Sequence, residues 1–594
     1  MYRIARIPSF GRGRCIAGRS VYRLAIESVT NHGTWLHLSC WAFMGCTLLL
    51  CPETAEAQRQ RPDDRFGRQL DSRQEPRFDN GHGRQGDFQT RDRKFRVRDG
   101  EWEEFRYIDG SNNNLSNPNW GKARISFRRR AGSAYSDGYG EPARYVGPNA
   151  RELSNVFCAQ VESRPGGRGL SDMAWQWGQF LDHDLTLAET ALPSEAYPIL
   201  IPTGDQWFDP EATGAVRLFF FRSEYFAGTG IDMPRQQINS NTSWIDGSQI
   251  YGSDQETADY LRSFEGGRLR SSANDLLPVD DEGFFVAGDI RVNEQVGLTA
   301  MHTLFMREHN RIADRLAEFH PDWDDEELYQ CARKEVIGIL QAITYNEFLP
   351  AILGRDTLPH YNGYKPWMDA SITNEFATAA YRFGHSMLNE NLLRLDGDLQ
   401  ELPGGPLPLR SAFFNPLWIQ ADGIDPYLQG LMFQRAQEID PMVVDDVRNF
   451  LFGAPGAGGL DLPAFNIQRG RDHGIPGYRK IRQAFGLSDM PEFQDLPMES
   501  ENQQLMELMY ESTDEIDPWL GLLAEQHVPG SSVGPTMQRV LVDQFVKLRD
   551  GDRFWYQRMM RDSQLTRVHQ TRLSHVIYRN TDVRRIPVNV FWAP

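Results

Sequence analysis

Met173-Ala174-Trp175-Gln176-Trp177-Gly178-Gln179-Phe180-Leu181-Asp182-His183-Asp184-Leu185 carries the period of an amphipathic helix. Met173, Ala174, Trp177, Phe180, Leu181 and Leu185 fall on one stripe, the pattern of a helix buried along one side. Ser171 or Asp172 supplies the N-cap. Gln179 and His183 are four residues apart and share a face. They interrupt the apolar stripe, so the helix brings a polar pair into the interior. The carboxylates on either side of His183 are expected to favour its protonated form. Alone, an Asp-His-Asp run also fits a satisfied core histidine between two helix-end acids, so its meaning depends on the rest of the chain.

The surrounding sequence reads the same way. Leu298, Met301, Leu304, Phe305, Ile312, Ala313 and Leu316 form a second helical stripe. A third helical pattern covers roughly 326–348 and a fourth ends near His385. Alternating strand patterns are sparse, and no repeat period is visible. No linker-like stretch divides the chain after about residue 101. The expected fold class is therefore mainly α, with residues 101–594 as a single large helical domain and little β structure. At 40% hydrophobic and 24% charged, the 594-residue chain has an ordinary globular composition, which excludes collagen-like, disordered and membrane-bundle classes. Its formal charge of −18 argues against a nucleic-acid binder, which needs a basic face. Six cysteines in this length exclude a disulfide scaffold.

The charge is uneven. Residues 1–57 carry six Arg and three Glu, and residues 58–99 carry twelve Lys or Arg against eight Asp or Glu. The body is strongly acidic by comparison. Arg3 to Arg23 form a long positive region, Trp35 to Cys51 an uncharged, mostly apolar run, and Ala55-Glu56-Ala57 a small-x-small cleavage site. Residues 1–57 are thus read as a signal peptide, with Gln58 as the new N-terminus and a secreted or periplasmic destination. An uncleaved anchor is the rival reading. Cleavage leaves Cys158 and Cys331, whose pairing stays open. Residues 58–100 are Arg- and Gln-rich. Their only Leu, Ile or Val residues are Leu70 and Val97, too few to offset ordering entropy, so the segment is expected to be disordered.

Further constellations lie downstream. Ala287-Gly288-Asp289-Ile290-Arg291-Val292-Asn293-Glu294 places Arg291 and Glu294 three apart, which alone reads as an exposed ion pair. Ala380-Tyr381-Arg382-Phe383-Gly384-His385 ends a helical run with a histidine. Phe465-Asn466-Ile467-Gln468-Arg469-Gly470 sets an asparagine three residues before an arginine in a turn-rich segment. In Thr242-Ser243-Trp244-Ile245-Asp246-Gly247-Ser248, an extended loop would turn residues 242, 244, 246 and 248 to one side. Their hydroxyl, carbonyl and carboxylate oxygens suit Ca²⁺.

Taken together and in order, these segments resemble the animal-type haem peroxidase family, from about Tyr107 to Phe591. The resemblance implies a haem b peroxidase that reduces hydrogen peroxide by way of a ferryl intermediate and oxidises small anionic or phenolic donors. His183 matches the distal histidine that moves the peroxide proton. Arg291 matches the distal arginine, and Gln179 the glutamine beside it. His385 matches the proximal ligand to the haem iron, and Asn466 the acceptor of its other N–H. Arg382 and Arg469 match positions that pair with haem propionates. Asp182 and Glu294 match carboxylates that form ester links to haem methyl groups in some members. Where a third, sulfonium link exists, a methionine follows that glutamate; here the residue is Gln295, so weak chloride oxidation is expected. Asp184, Thr242, Trp244 (through its carbonyl), Asp246 and Ser248 match the calcium ligands. Neither a nucleic-acid partner nor stable membrane insertion after cleavage is expected.

Three rivals were weighed. Fatty-acid dioxygenases of the same superfamily need a tyrosine three residues before the proximal histidine, where this chain has Arg382; Tyr381 is one residue off. A non-catalytic adhesion protein on the same fold would not need every matched position intact. A zinc hydrolase built on His302 and His309 lacks a His-Glu-x-x-His motif.

Overall fold

The computed structural model describes residues 94–97 and 101–594, apart from Tyr145. The signal-peptide reading of 1–57 and most of the 58–100 segment lie outside the described residues. Within that segment Lys94–Val97 forms a strand, β1, antiparallel to β2 (Glu101–Glu104). These four residues depart from the disordered expectation. The register sets Lys94 opposite Glu104, and the short aromatic and β-branched alternation favours extended backbone.

Helices dominate the rest, as the stripes predict. α1 spans Ala150–Phe157, α2 Asp172–Leu185, and α3 is the short Ser248–Tyr251 turn. α4 (Val296–Phe319) and α5 (Asp325–Ile343) pack against each other. α6 covers Leu462–Asp472 and α7 Pro535–Asp550. Among the described residues the sheets are four two-stranded antiparallel pairs. α5 starts at a capping box, in which Asp324 accepts from the Glu327 N–H and Glu327 reaches back. It passes into one turn of π-helix at Thr344–Phe348, which accounts for the helical pattern running to 348. Ser171 stands at the N-cap position of α2, but its hydroxyl donates to the Val590 carbonyl rather than capping the helix.

Two sequence expectations change. The helix ending at His385 is broken at Ala379 (φ −130°), leaving Asn374–Thr378 and a 3₁₀ segment, Ala380–Ser386. Residues 466–469 are helical, inside α6, because Asp461 caps the Ala464 N–H at 2.9 Å and Pro463 sits in the first turn. Cys158 and Cys331 are both buried and are not joined to each other.

Candidate active site

α2 forms one wall of a cavity of about 360 Å³, and the 3₁₀ segment with α6 forms the other. Gln179, Asp182, His183, Arg291 and Glu294 line the first wall; His385, Arg382, Asn466 and Arg469 line the second. Nine residues from segments almost 290 positions apart therefore meet at one space.

His183 is 3% exposed. Burial, and then the positive charge of Arg291, hold its imidazole well below the usual histidine pKa, with Asp289 opposing. The flanking acids do not protonate it, contrary to the sequence expectation, because neither carboxylate faces the ring. Asp182 Oδ1 accepts from Thr186 Oγ1 at 2.8 Å, and its other oxygen is 3.7 Å from Arg291 Nη1. Asp184 turns to α3, where it accepts from the Ser248 N–H at 2.6 Å. The nearest carboxylate to the ring is Asp289, whose Oδ1 is 3.5 Å from His183 Nδ1. That nitrogen is buried without a hydrogen-bond partner.

Asp289 is the functional residue that sequence reasoning missed. It grips Arg291 bidentately, accepting from Nε at 2.8 Å and from Nη2 at 2.7 Å, and takes the Arg291 backbone N–H at 2.9 Å. Burial alone would raise its carboxyl; the charges of Arg291 and His183 hold it far below the carboxylate range. Arg291 Nη2 also donates to the Thr186 carbonyl at 2.8 Å. One buried anion thus fixes the arginine and sits beside the histidine. The expected Arg291–Glu294 ion pair does not form. Glu294 lies in the cavity, where burial lifts its carboxyl to about 7 against the pull of Arg291.

Gln295 organises the glutamine. Its Oε1 accepts from the Gly297 N–H at 2.6 Å, capping α4, while its Nε2 donates to Gln176 Oε1 at 2.6 Å and Gln179 Oε1 at 2.9 Å. With its oxygen engaged, Gln179 turns its amide N–H groups to the cavity, where Glu294 takes a hydrogen bond from the amide.

On the second wall, His385 Nδ1 is 2.8 Å from Asn466 Nδ2. Burial, then Arg382, lower the imidazole to about 3, which leaves it in the neutral form that binds metals. The sequence reading has Asn466 accepting from this histidine. Here its Oδ1 instead accepts from Arg382 Nη1 at 2.9 Å. Arg382 is lowered to about 10, first by burial and then by the charge of Arg469. Arg469 donates to Ser223 Oγ at 2.7 Å and Asp472 at 3.0 Å. Two guanidiniums on one cavity wall, one of them without a carboxylate partner, ask for an anionic ligand such as a propionate.

The proposed calcium residues also gather, though not as an extended strip. Residues 240–247 are irregular, with bends at 241 and 243–246, and Gly247 (φ 78°) caps α3. Thr242 Oγ1 donates to Asp246 Oδ1 at 2.9 Å, and Ser248 Oγ donates to Asp184 Oδ1 at 2.8 Å. The Trp244 side chain points away, donating to the Gly110 carbonyl at 3.0 Å. Asp184 is pushed well up, by burial and then by Asp246, and Asp246 rises to about 6. Asp246 Oδ2 is buried without a hydrogen-bond partner. Two close, buried and undercompensated carboxylates among hydroxyls fit a hard divalent cation. Gly288 touches this loop. A Cβ there would lie 2.2 Å from the Ser248 carbonyl oxygen and 2.4 Å from the Gly252 nitrogen.

His302 and His309 hold no common metal site. His302 packs edge-on against Phe180, and His309 Nδ1 is 3.0 Å from the Tyr251 hydroxyl. Among the described residues no group of three or more His, Cys, Asp or Glu could hold a metal ion.

Comparison with known proteins agrees with this geometry. The family model for animal haem peroxidase matches residues 105–591. Peroxinectin A of Dictyostelium discoideum is 35% identical over 82% of this chain and 96% of its own length. Peroxidasin of Drosophila melanogaster is 38% identical over 80% of this chain, which spans only 35% of that longer protein. The solved structure of peroxidase A from Dictyostelium discoideum superposes with a TM-score of 0.76 at 34% identity, covering 82% of this chain and all of that one. A fatty acid alpha-dioxygenase of Arabidopsis thaliana shares the fold, with a TM-score of 0.70 at 20% identity. The chain belongs to the animal haem peroxidase family.

Proposed function

We propose that this chain is an exported haem peroxidase that reduces hydrogen peroxide and oxidises bromide, iodide, thiocyanate or phenols. The observation that carries the reading is the distal pair: a neutral His183 beside an Arg291 locked by Asp289, facing His385 across one cavity. Haem, when bound, supplies a redox-active iron that takes electrons from donors. His385 would ligate that iron, Arg382 and Arg469 would hold the propionates, and Asp182 and Glu294 are placed for ester links. With Arg382 held by a propionate instead of by Asn466, the Asn466 amide would be free to present its oxygen to His385 Nδ1–H. That contact fixes the tautomer and strengthens the ligand.

The chain's own groups divide the remaining work. A neutral His183 accepts the proton that peroxide must lose and returns it to the departing oxygen as water leaves. Asp289 beside Nδ1 keeps that nitrogen protonated, leaving Nε2 as the base. Arg291, already fixed, stabilises the negative charge that develops as the O–O bond breaks, without reorganising at that moment. Gln179 offers N–H donors to a halide or water. In this reading residues 1–57 direct export and residues 101–594 form the catalytic unit.

The direct test is an absorption spectrum of haem-loaded protein before and after one equivalent of hydrogen peroxide. A Soret band that shifts and returns on adding bromide or a phenol supports the reading. Haem binding with no response to peroxide overturns the distal assignment.

Three further results are expected. Asp289→Asn frees Arg291 and should slow the peroxide step by roughly 10²-fold, the scale of losing one preorganised donor; a rate equal to wild type would remove Asp289 from this role. Because Gln295 replaces the sulfonium-forming methionine, bromide turnover should exceed chloride turnover at pH 7, and equal rates would contradict this. Strong chelation should remove the cation between Asp184 and Asp246, lower activity and shift the Soret band. An unchanged spectrum in cation-depleted protein would count against the site.

A further inference from the structure

Behind the second wall lies a row of tyrosines and a tryptophan, bridged at one point by Phe545. Tyr381 lines the cavity. Phe545 of α7 is 5.7 Å from it, centroid to centroid, and 6.1 Å from Tyr345. Tyr345 is 4.9 Å from Trp555, and Trp555 is 4.9 Å from Tyr556. Tyr556 is itself 2% exposed, and its hydroxyl is 2.7 Å from Nδ1 of the exposed His569, which carries the row to the surface. The rings come from four segments, with Trp555 and Tyr556 adjacent in one of them, so no single helix stripe explains the row.

The aromatic cluster behind the first wall differs in kind. There Trp177 is surrounded by Phe180, Phe305 and Phe591 at 5.8–6.1 Å. Phenylalanine is far harder to oxidise than tyrosine or tryptophan, so a vacancy on Trp177 meets phenylalanines in that cluster, whereas in the row the single Phe545 separates two tyrosines and serves as a tunnelling bridge between them.

Proton partners decide where a vacancy would rest. A tyrosine gives up an electron readily only when its phenolic proton has somewhere to go. The Tyr381 hydroxyl is buried without a hydrogen-bond partner. Tyr345 donates to the Phe545 carbonyl at 2.6 Å, an oxygen too weakly basic to keep a proton. Trp555, 1% exposed, carries a vacancy without losing its indole proton, which is donated to Gln557 Oε1 at 3.0 Å. Tyr556 alone in the row faces a base. Burial lifts its phenol to about 12, while the Asn346 amide and the Arg549 charge favour the deprotonated form.

We propose that Tyr381, Tyr345 and Trp555 relay oxidising equivalents from the cavity to the Tyr556–His569 pair, where phenolic donors too bulky for the cavity are oxidised at the surface. This rests on the peroxidase reading above. One hydrogen peroxide leaves two oxidising equivalents at the cofactor. Each is filled by one electron that Tyr556 sends along the row. The Tyr556 O–H bond breaks as its proton passes to His569 Nδ1, and solvent returns one proton to the cavity. A bulky phenol then gives one electron to the Tyr556 radical and releases its own proton, while His569 returns the first. Over two rounds, one peroxide and two phenols yield two waters and two phenoxyl radicals.

The test uses the full haem-loaded chain with two donors: bromide, and tyrosine coupled to a dextran too large to enter the cavity. Tyr556→Phe keeps the ring and removes the phenol. It is expected to lose oxidation of the dextran-bound tyrosine and keep that of bromide, and Tyr345→Phe is expected to do the same. With peroxide and no donor, rapid-freeze electron paramagnetic resonance should show a tyrosyl radical in wild type that is lost in both Tyr556→Phe and Tyr345→Phe. Both variants oxidising the dextran at the wild-type rate would overturn the relay, as would a tyrosyl radical that Tyr556→Phe removes and Tyr345→Phe keeps. A variant losing both activities together with its melting temperature would assign the ring to packing and also overturn it. If bromide is untouched in wild type and peroxide leaves the haem absorption unchanged, the peroxidase reading fails and takes the relay with it.

Discussion

His183→Ala is expected to slow the reaction with hydrogen peroxide by ~10²–10⁴-fold, the usual contribution of a positioned general acid–base. Haem uptake should change little, because the wall carrying His385 is untouched. The structure sharpens the reason. The ring is 3% exposed and held neutral by burial and by Arg291, so the base form is already present when peroxide arrives. Asp289, 3.5 Å from Nδ1, stabilises the imidazolium that forms. Stopped-flow absorption in the Soret region measures the step directly. A rate constant within a few-fold of wild type would show that proton transfer runs through another group, and the distal assignment would fall.

Arg151→Met is expected to destabilise the protein by about 3–5 kcal/mol, the cost of stripping one partner from a buried ion pair. Arg151 is fully buried. Its Nε and Nη2 donate to Asp205 at 2.8 and 3.1 Å, its Nη1 to Asp461 at 2.6 Å, and its Nη2 to Asn449 Oδ1 at 2.8 Å. The guanidinium also lies 4.7 Å over the Phe208 ring. Methionine fills much of the volume but leaves two carboxylates inside without a cation. Lysine does not substitute, since one ammonium cannot reproduce the forked contacts. The effect reaches the cavity because Asp461 caps α6, which carries Asn466 and Arg469. Urea denaturation should therefore show the loss, and haem affinity should fall with it. A change under about 1 kcal/mol, the worth of an exposed pair, would show that Arg151 does not hold this junction.

Helical stripes were readable where one segment carries its own pattern. Residues 172–185, 296–319 and 325–343 fold as their apolar spacing requires. The residues gathered around the cavity were also legible, because their type and order match a known family. What escaped reading is pairing over long separations. Asp289 looks like an ordinary loop acid beside Arg291, and only the fold sets it against His183, 106 positions earlier. The neutral state of His183 is not legible from its sequence neighbours, because α2 turns Asp182 and Asp184 to other partners. The break at Ala379 and the helical state of Asn466 depend on tertiary packing and on the Asp461 cap. Periodicity registers neither.

The close approach at Gly288 has a structural consequence. Position 288 opens the stretch that delivers Asp289 and Arg291, and any side chain there would strike the backbone of Ser248 and Gly252. Because the obstacle is main chain, no change of residue type at 248 or 252 relieves it. Only a change in the length or path of the cation loop does. In this chain a side chain at 288 therefore requires the main chain between residues 248 and 252 to move. The loop carrying Asp246 and Ser248 and the stretch carrying Asp289 and Arg291 are thus locked together through main chain rather than side chains.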